Sequence, residues 1–284
     1  MSADDPSAVA PDGTRVSELR ALCESIAREA GSFAAAARRE LGPGRRVDHE
    51  TKSSDVDPVT EFDRATERLV VDRLRAARPD DSIVGEEGAD HRGTSGLEWH
   101  VDPIDGTVNF VYDLAGWCTS VAVAHGGRPL AGAVYAPVVD ELASAGLGEG
   151  ASIGGVALRA SGATDLATSL AATGFGYDVD RRRAQGARLA GLIDRVRDVR
   201  REGSAALDLA HVAAGRVDAY FEEGLNSWDV AAGILLVTEA GGVVTGFDGA
   251  PVDVRSPGGI VAAGAALHPA LLELLGGAPV ADPP

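Results

Sequence analysis

The run Trp99-His100-Val101-Asp102-Pro103-Ile104-Asp105-Gly106-Thr107 constrains this chain more than any other. Its first three residues read as the end of a strand. Two carboxylates follow, three residues apart, and a Gly-Thr pair comes at once. Pro103 stiffens the turn between them. A fold built on this run can bring Asp102, Asp105, a hydroxyl and free backbone N–H groups to one place. Oxygen donors of that kind suit hard divalent cations, and free N–H groups suit a phosphate. The run therefore points to metal-dependent phosphate chemistry. The competing reading is a solvated Asp-Pro turn, which is common in loops.

The rest of the chain alternates between helical and strand patterns. Apolar residues at Val16, Leu19, Leu22, Ile26, Ala30, Phe33, Ala37 and Leu41 have helical spacing, stopped by Gly42-Pro43-Gly44. A second helix starts near Thr60 and ends before Pro79, after a polar loop over 45–57. Ser82 to Gly85 reads as a strand, 90–96 as a Gly-rich loop and 99–101 as a strand. Residues 117–124 and 130–135 read as two strands turned at Gly126-Gly127, and 141–158 as a further hairpin. In the second half, strands are expected at 170–173, 217–221, 243–247 and 260–263, and helices at 188–196, 205–214, 229–240 and 269–275. An α/β class with mixed, mainly antiparallel sheets follows. Residues 1–13 are expected to be a disordered tail and 14–284 one domain, its halves (14–160 and 161–284) packed as one body.

At 284 residues and 45% hydrophobic content the chain can bury a large core. Its formal net charge of −17 opposes nucleic acid as a main partner. The Arg-rich stretch from Arg181 to Arg201 reads as the solvated face of a helix. Cys23 and Cys118 sit in apolar patterns, as buried thiols do. No apolar stretch approaches the about 20 residues of a membrane span. With no signal-peptide pattern at its start, the chain is expected to be cytoplasmic. Among 26 Lys+Arg, Lys52 is the one lysine. Composition bias and a need for a compact point charge at that position are both open readings.

Several more residues qualify as site candidates, each with a plain structural alternative. Glu86 and Glu87 follow a strand, as a third metal ligand or as solvated loop acids. Asp229 opens a helix, as a ligand or as an N-cap. Thr60-x-x-Asp63 has the form of a capping box. Gly203-Ser204-Ala205 opens a helix whose free N–H groups can hold a polar ligand, or is a plain Ser cap. Glu222 ends a strand, as an acceptor for substrate hydroxyls or an exposed edge acid.

Taken together, the segments resemble the inositol monophosphatase family. The matching pieces are Lys52-Ser53-Ser54, Asp57 to Asp63, Gly85-Glu86-Glu87, Trp99 to Phe110, Gly203 to Ala206, Trp228 to Gly233 and Glu239 to Gly242, within residues 15–275. The Asp-Pro-Ile-Asp-Gly-Thr and Trp-Asp-x-Ala-Ala-Gly pieces together are highly specific. The resemblance implies a layered αβαβα sandwich, a homodimer and two to three Mg²⁺ ions per site. It implies Glu86, Asp102 and the Ile104 carbonyl at one metal, and Asp102, Asp105 and Asp229 at a second. Gly106 and Thr107 would seat the phosphate. Gly203, Ser204, Ala205 and Glu222 would hold the alcohol, and Asp63 and Lys52 would belong to a segment closing over the metals. Val108 departs from a second Thr in many members, Gly155 from a frequent Asn, and Ser204 keeps the hydroxyl of a Thr. The implied reaction is hydrolysis of a small phosphorylated polyol, inositol monophosphate first, with Li⁺ sensitivity. Histidinol phosphate, fructose 1,6-bisphosphate and NADP use the same scaffold, and a regulatory, RNA-associated relative is the alternative of another class.

Overall fold

The computed structural model describes residues 9–52 and 58–276. The chain runs α1 (Val16–Glu40), β1 (Glu50–Thr51), β2 (Pro58–Val59), α2 (Glu61–Ala77), β3 (Ser82–Gly85), β4 (Asp90–His91), β5 (Leu97–Asp105), α3 (Thr107–Val111), β6 (Cys118–His125), β7 (Arg128–Ala136), β8 (Glu141–Gly146), β9 (Gly150–Ile153) and β10 (Val156–Ala157). It continues through β11 (Leu170–Thr173), α4 (Val179–Leu192), β12 (Asp198–Arg200), α5 (Ala205–Ala213), β13 (Ala219–Leu225), α6 (Ser227–Glu239), β14 (Gly242–Thr245), β15 (Gly258–Gly264) and α7 (His268–Gly276).

Two sheets carry the architecture. The larger has strand order β10-β9-β8-β7-β6-β5-β3-β4, the smaller β12-β11-β13-β15-β14. Most neighbours are antiparallel; β3–β5, β11–β12 and β11–β13 are parallel. Helices α1 and α2 bury Leu19, Cys23, Ile26, Val70 and Leu74 on one face of the large sheet. Its other face meets α5 and α6, whose far sides meet Tyr220, Ile260 and Ala262 of the small sheet. Leu271 and Leu275 of α7 and Leu192 of α4 cover the small sheet's outer face. The expected αβαβα sandwich is thus the observed one.

The central layer is thin because its residues are small. A Cβ on Gly132 of β7 would stand 2.9 Å from Ala232 Cα of α6, and one on Gly233 would meet Leu209 of α5 at 2.4 Å. The Ala231-Ala232-Gly233 part of the Trp-Asp motif is therefore packing, which lets α6 approach α5 and the large sheet together. At the other end, Asp12 pairs with Arg78, Arg78 Nε donates to Asp81 at 2.7 Å, and Trp99 Nε1 donates to Asp81 at 2.9 Å.

Several boundaries differ from the sequence expectation. Within the expected disordered tail, Ala10 is buried and Asp12 is held by Arg78; residues 1–8 lie outside the described residues. The polar loop over 45–57 contains β1, and the loop over 90–96 begins with β4, which pairs with β3. Helix α4 starts at Val179 and stops at Leu192, not over 188–196. Its Asp178 cap accepts from Arg181 N at 2.8 Å, and its first turns are polar because they face solvent, which hides the period. Strand β13 starts at Ala219 instead of Val217 and runs on to Leu225, because its antiparallel pairing with β15 extends that far. Strand β12, an edge strand of alternating charge, carries too little apolar signal to be anticipated.

Gly132→Val is expected to lower stability by about 1–3 kcal/mol through overpacking against α6, read as a reduced urea midpoint.

Candidate active site

Glu86 and Asp102, far apart in sequence, meet because β3 and β5 run parallel. The register pairs Gly85 with Val101, and Glu86 N donates to the Val101 carbonyl at 3.2 Å. The next residue on each strand is therefore a carboxylate, side by side with the other. Asp105 needs a different device. Side chains alternate faces along a strand, so residues three apart point oppositely. Here β5 pairs Asp102 with Ser120 and Asp105 with Cys118, so two residues of β5 oppose Thr119 alone. That β-bulge adds the missing half-period and turns Asp105 to the side of Asp102. The run expected as a strand end and turn is thus a continuous, bulged strand. Thr119 Oγ1 donates to the Pro103 carbonyl at 2.8 Å and fixes the bulge.

Three helix starts supply the remaining groups. Ser204, not exposed to the cavity, caps α5, and its hydroxyl donates to Asp105 Oδ2 at 2.7 Å. Ala206 N donates to the same oxygen at 2.7 Å. Asp229 is the third residue of α6 instead of its cap: Asn226 caps the helix, and Asn226 N donates to Asp229 Oδ2 at 2.7 Å. Asp63 does the same for α2, its Oδ2 accepting from Thr60 N at 2.8 Å. Asp102 Oδ1 accepts from Ile104 N at 3.0 Å. In all four aspartates one carboxylate oxygen is anchored, and in Asp63 and Asp229 a capping role and a place at the site coexist in one side chain. The free oxygen of Asp63 lies 3.2 Å from Thr107 Oγ1, which is also 3.1 Å from the Ile104 carbonyl. The hydroxyl has one proton, so it donates to one of these two at a time.

The G-E-E turn has a hidden support. Glu67, buried on α2, accepts from Glu87 N at 2.8 Å and Ala89 N at 3.1 Å. A Cβ on Gly85 would stand 2.3 Å from its Oε2, so glycine is required there. Nothing in sequence spacing singles out Glu67.

A cavity of about 400 Å³ opens over this floor. Lys52, Glu86, Asp102, Ile104, Asp105, Gly106, Thr107, Gly203, Ala205, Glu222 and Asp229 line it. Asp63 and Ser204 do not; they are hydrogen-bonded to Thr107 and Asp105, which do. Arg181 and Arg201 also line it, and sequence reading passed over them as part of a solvated Arg-rich face. Glu222 rises beside Gly174, where a Cβ would lie 1.8 Å from its Oε2, and that oxygen accepts from Tyr220 Oη at 2.7 Å.

The electrostatics explain what this floor requires. Burial pushes Asp102 and Asp229 well above the ordinary aspartate range, and neighbouring carboxylates push them further. Burial raises Asp105 to about 6 against the Ser204 and Ala206 hydrogen bonds, Asp63 to about 6 and Glu222 to about 7. Glu86 is raised by burial, and the Lys52 ammonium opposes that shift. Lys52 Nζ stands 2.8 Å from Glu86 Oε1 and also pairs with Glu87, while Glu86 Oε2 is buried with no hydrogen-bond partner. An all-oxygen donor set, mutual repulsion and an orphaned carboxylate oxygen fit divalent cations such as Mg²⁺. The segment 53–57, with Ser53, Ser54 and Asp57, lies outside the described residues.

A layered sandwich with a carboxylate floor between bulged strand and helix starts defines a class of metal-assisted phosphatases. The inositol monophosphatase family profile matches residues 16–278, and the chain belongs to that family, as a phosphatase of it. It is 45% identical over 286 residues to an inositol-1-monophosphatase of Mycobacterium leprae, covering 93% of this chain and 97% of that one. It is 44% identical over 226 residues to the Nus factor SuhB of Pasteurella multocida, covering 78% and 83%. The crystal structure of the extragenic suppressor protein suhB from Bartonella henselae superposes with a TM-score of 0.83 at 33% identity, covering 91% of this chain and 98% of that one. Among the described residues no helix is long and apolar enough to cross a membrane.

Two outcomes follow. Ser204→Ala removes both a helix cap and a hydrogen bond to buried Asp105, and is expected to cost about 1–2 kcal/mol in urea unfolding without added metal. Lys52→Met frees Glu86 from its resident ammonium and is expected to tighten Mg²⁺ binding several-fold in isothermal titration. Unchanged or weaker binding would show that the ammonium does not stand in the cation's place.

Proposed function

We propose that this chain is an Mg²⁺-dependent hydrolase of phosphorylated polyols, with inositol monophosphate as its first substrate. The observation that carries this reading is the buried floor of Glu86, Asp102, Asp105 and Asp229, in which each aspartate has one oxygen anchored and the other left for a ligand. Glu86, Asp102 and the Ile104 carbonyl would hold one ion, and Asp102, Asp105 and Asp229 a second, within two to three per site. When bound, Mg²⁺ supplies charge neutralisation at the phosphate and a water acidic enough to attack phosphorus near neutral pH.

The chain's own groups divide the remaining work. Thr107 and Glu86 orient the attacking water. Asp63, raised to about 6 by burial, can accept the Thr107 hydroxyl proton as Thr107 takes up the proton of the attacking water, so that the water's proton is stored on Asp63 and Thr107 stays a neutral hydroxyl. Gly106 and Thr107 seat the phosphate on backbone amides. Glu222 and the α5 start at Gly203, Ser204 and Ala205 orient the alcohol, and Lys52 closes over the site from β1. Among the described residues no group beyond Thr107 resembles an activated nucleophile, and Cys118 is buried with its thiol pushed up.

We further propose a homodimer in the cytoplasm. The exposed Tyr112, Leu114, Val138, Val139 and Val156 supply apolar surface for a second copy. A second reading, a regulatory and RNA-associated role, draws on the relative named Nus factor SuhB. The net charge of −17 weighs against RNA as the main ligand.

Asp105→Asn and Asp229→Asn are each expected to lower kcat by about 100-fold or more with far-UV circular dichroism unchanged. Near-normal phosphate release from either at millimolar Mg²⁺ would sink the assignment. Turnover across inositol 1-phosphate, histidinol phosphate, fructose 1,6-bisphosphate and NADP, with and without Li⁺, ranks the substrates. Inositol 1-phosphate is expected to lead and Li⁺ to inhibit. Salt-dependent RNA binding without Mg²⁺-dependent phosphate release would favour the regulatory reading.

A further inference from the structure

A second group of metal-ligating side chains lies behind the floor, outside the cavity already described. Glu202 stands in the loop before α5, and Asp208 and His211 are on α5 itself. One carboxylate oxygen from each acid and one ring nitrogen of His211 all lie within 4.8 Å of one another. Asp208 and His211 are three apart on a helix, so they share one face. Glu202 reaches that face because the chain reverses at Gly203, whose φ of +99° only glycine adopts readily.

The three side chains do not satisfy each other. His211 Nδ1 and Glu202 Oε2 are paired at 3.1 Å. Asp208 is 2% exposed, no hydrogen bond from a described residue reaches its carboxylate, and its oxygens keep only marginal solvent contact. A buried carboxylate without a donor costs several kcal/mol unless it stays protonated or meets a cation. Burial and the nearby Glu202, Glu222 and Asp105 charges raise Asp208 to about 9, and Arg201 only partly opposes this. Neither nearby arginine meets it: no hydrogen bond joins Arg201 to Asp208, and Arg216 is committed to Glu141 through contacts of 2.5 and 2.7 Å.

We propose that Glu202, Asp208 and His211 form a structural site for a borderline divalent cation of the zinc type, separate from the carboxylate floor. An imidazole with two carboxylates is a donor set for Zn²⁺, Co²⁺ or Mn²⁺; Mg²⁺ prefers oxygen alone. Ligand atoms on such an ion sit about 3.3–3.5 Å apart, so closing the present spread takes about 1 Å of side-chain movement. The ion would replace the Glu202–His211 hydrogen bond with two ligand bonds and give Asp208 its missing partner. It would also clasp the entry loop of α5 to the helix, next to Ser204 and Ala206, which hold Asp105.

Co²⁺ titration of the full chain in excess Mg²⁺ tests the site, because Mg²⁺ saturates the oxygen-only floor while leaving a histidine site for cobalt. The visible d–d absorption is expected to saturate at one Co²⁺ per chain, to vanish in His211→Gln and in Asp208→Asn, and to persist in Asp229→Asn. Zn²⁺ in the same excess of Mg²⁺ is expected to raise the Tm of the parent and not of His211→Gln. His211 is half-buried, so its glutamine variant keeps the fold, which the unchanged Tm without zinc checks. No cobalt band above Mg²⁺ competition, or a band of full size in His211→Gln, overturns the proposal.

Discussion

Burying several carboxylates in one place is the constraint on which the rest of this structure depends. Burial raises the pKa of Glu86, Asp102, Asp105 and Asp229, and neighbouring floor carboxylates raise Asp102 and Asp229 further. Such a floor is unfavourable without cations, and the protein answers with fixed dipoles and one ammonium. Helix α5 sends Ser204 Oγ and Ala206 N to Asp105, the start of α6 holds Asp229, and Lys52 pairs with Glu86. None of these fully neutralises the cluster, so its donor set fits divalent ions and is more than a set of caps.

The architecture follows from presenting that floor. The large sheet must bring β3 and β5 side by side in parallel, an exception in an otherwise antiparallel sheet, because only that pairing puts Glu86 beside Asp102. The helices that serve the floor must lie between the sheets with their N-termini at one end. This needs close helix–helix and helix–sheet approach, met by Gly132, Ala232 and Gly233. Stability and function thus share residues. Trp228-Asp229-Val230-Ala231-Ala232-Gly233 supplies both a carboxylate of the floor and the small side chains that let its helix fit.

Much of this was legible in the sequence. The capping box at Thr60–Asp63, the helix start at Ser204, the Asp102–Asp105 pair and most elements can be read from spacing and residue chemistry. The capping and functional readings of Asp63 and Asp229 are rivals in sequence, yet a carboxylate has two oxygens, and in each side chain one is bound at the helix start and the other is left over. Glu67 left no trace, since its partners are backbone amides twenty residues away. Arg181 and Arg201 were hidden among many arginines, and their place at the cavity depends on how α4 and the loop before α5 pack.

By itself the sequence determined which groups exist and their local conformation: caps, glycine turns, helical and strand periods, and a donor set rich in oxygen. These depend on neighbours within a few residues, so they survive without knowledge of the fold. Only the tertiary structure decided the parallel register that joins Glu86 to Asp102, the bulge that turns Asp105 to the same side, and the meeting of Glu202, Asp208 and His211. Register and bulge are set by pairing between distant strands and by what the opposite sheet and helices can bury, and no local pattern encodes them.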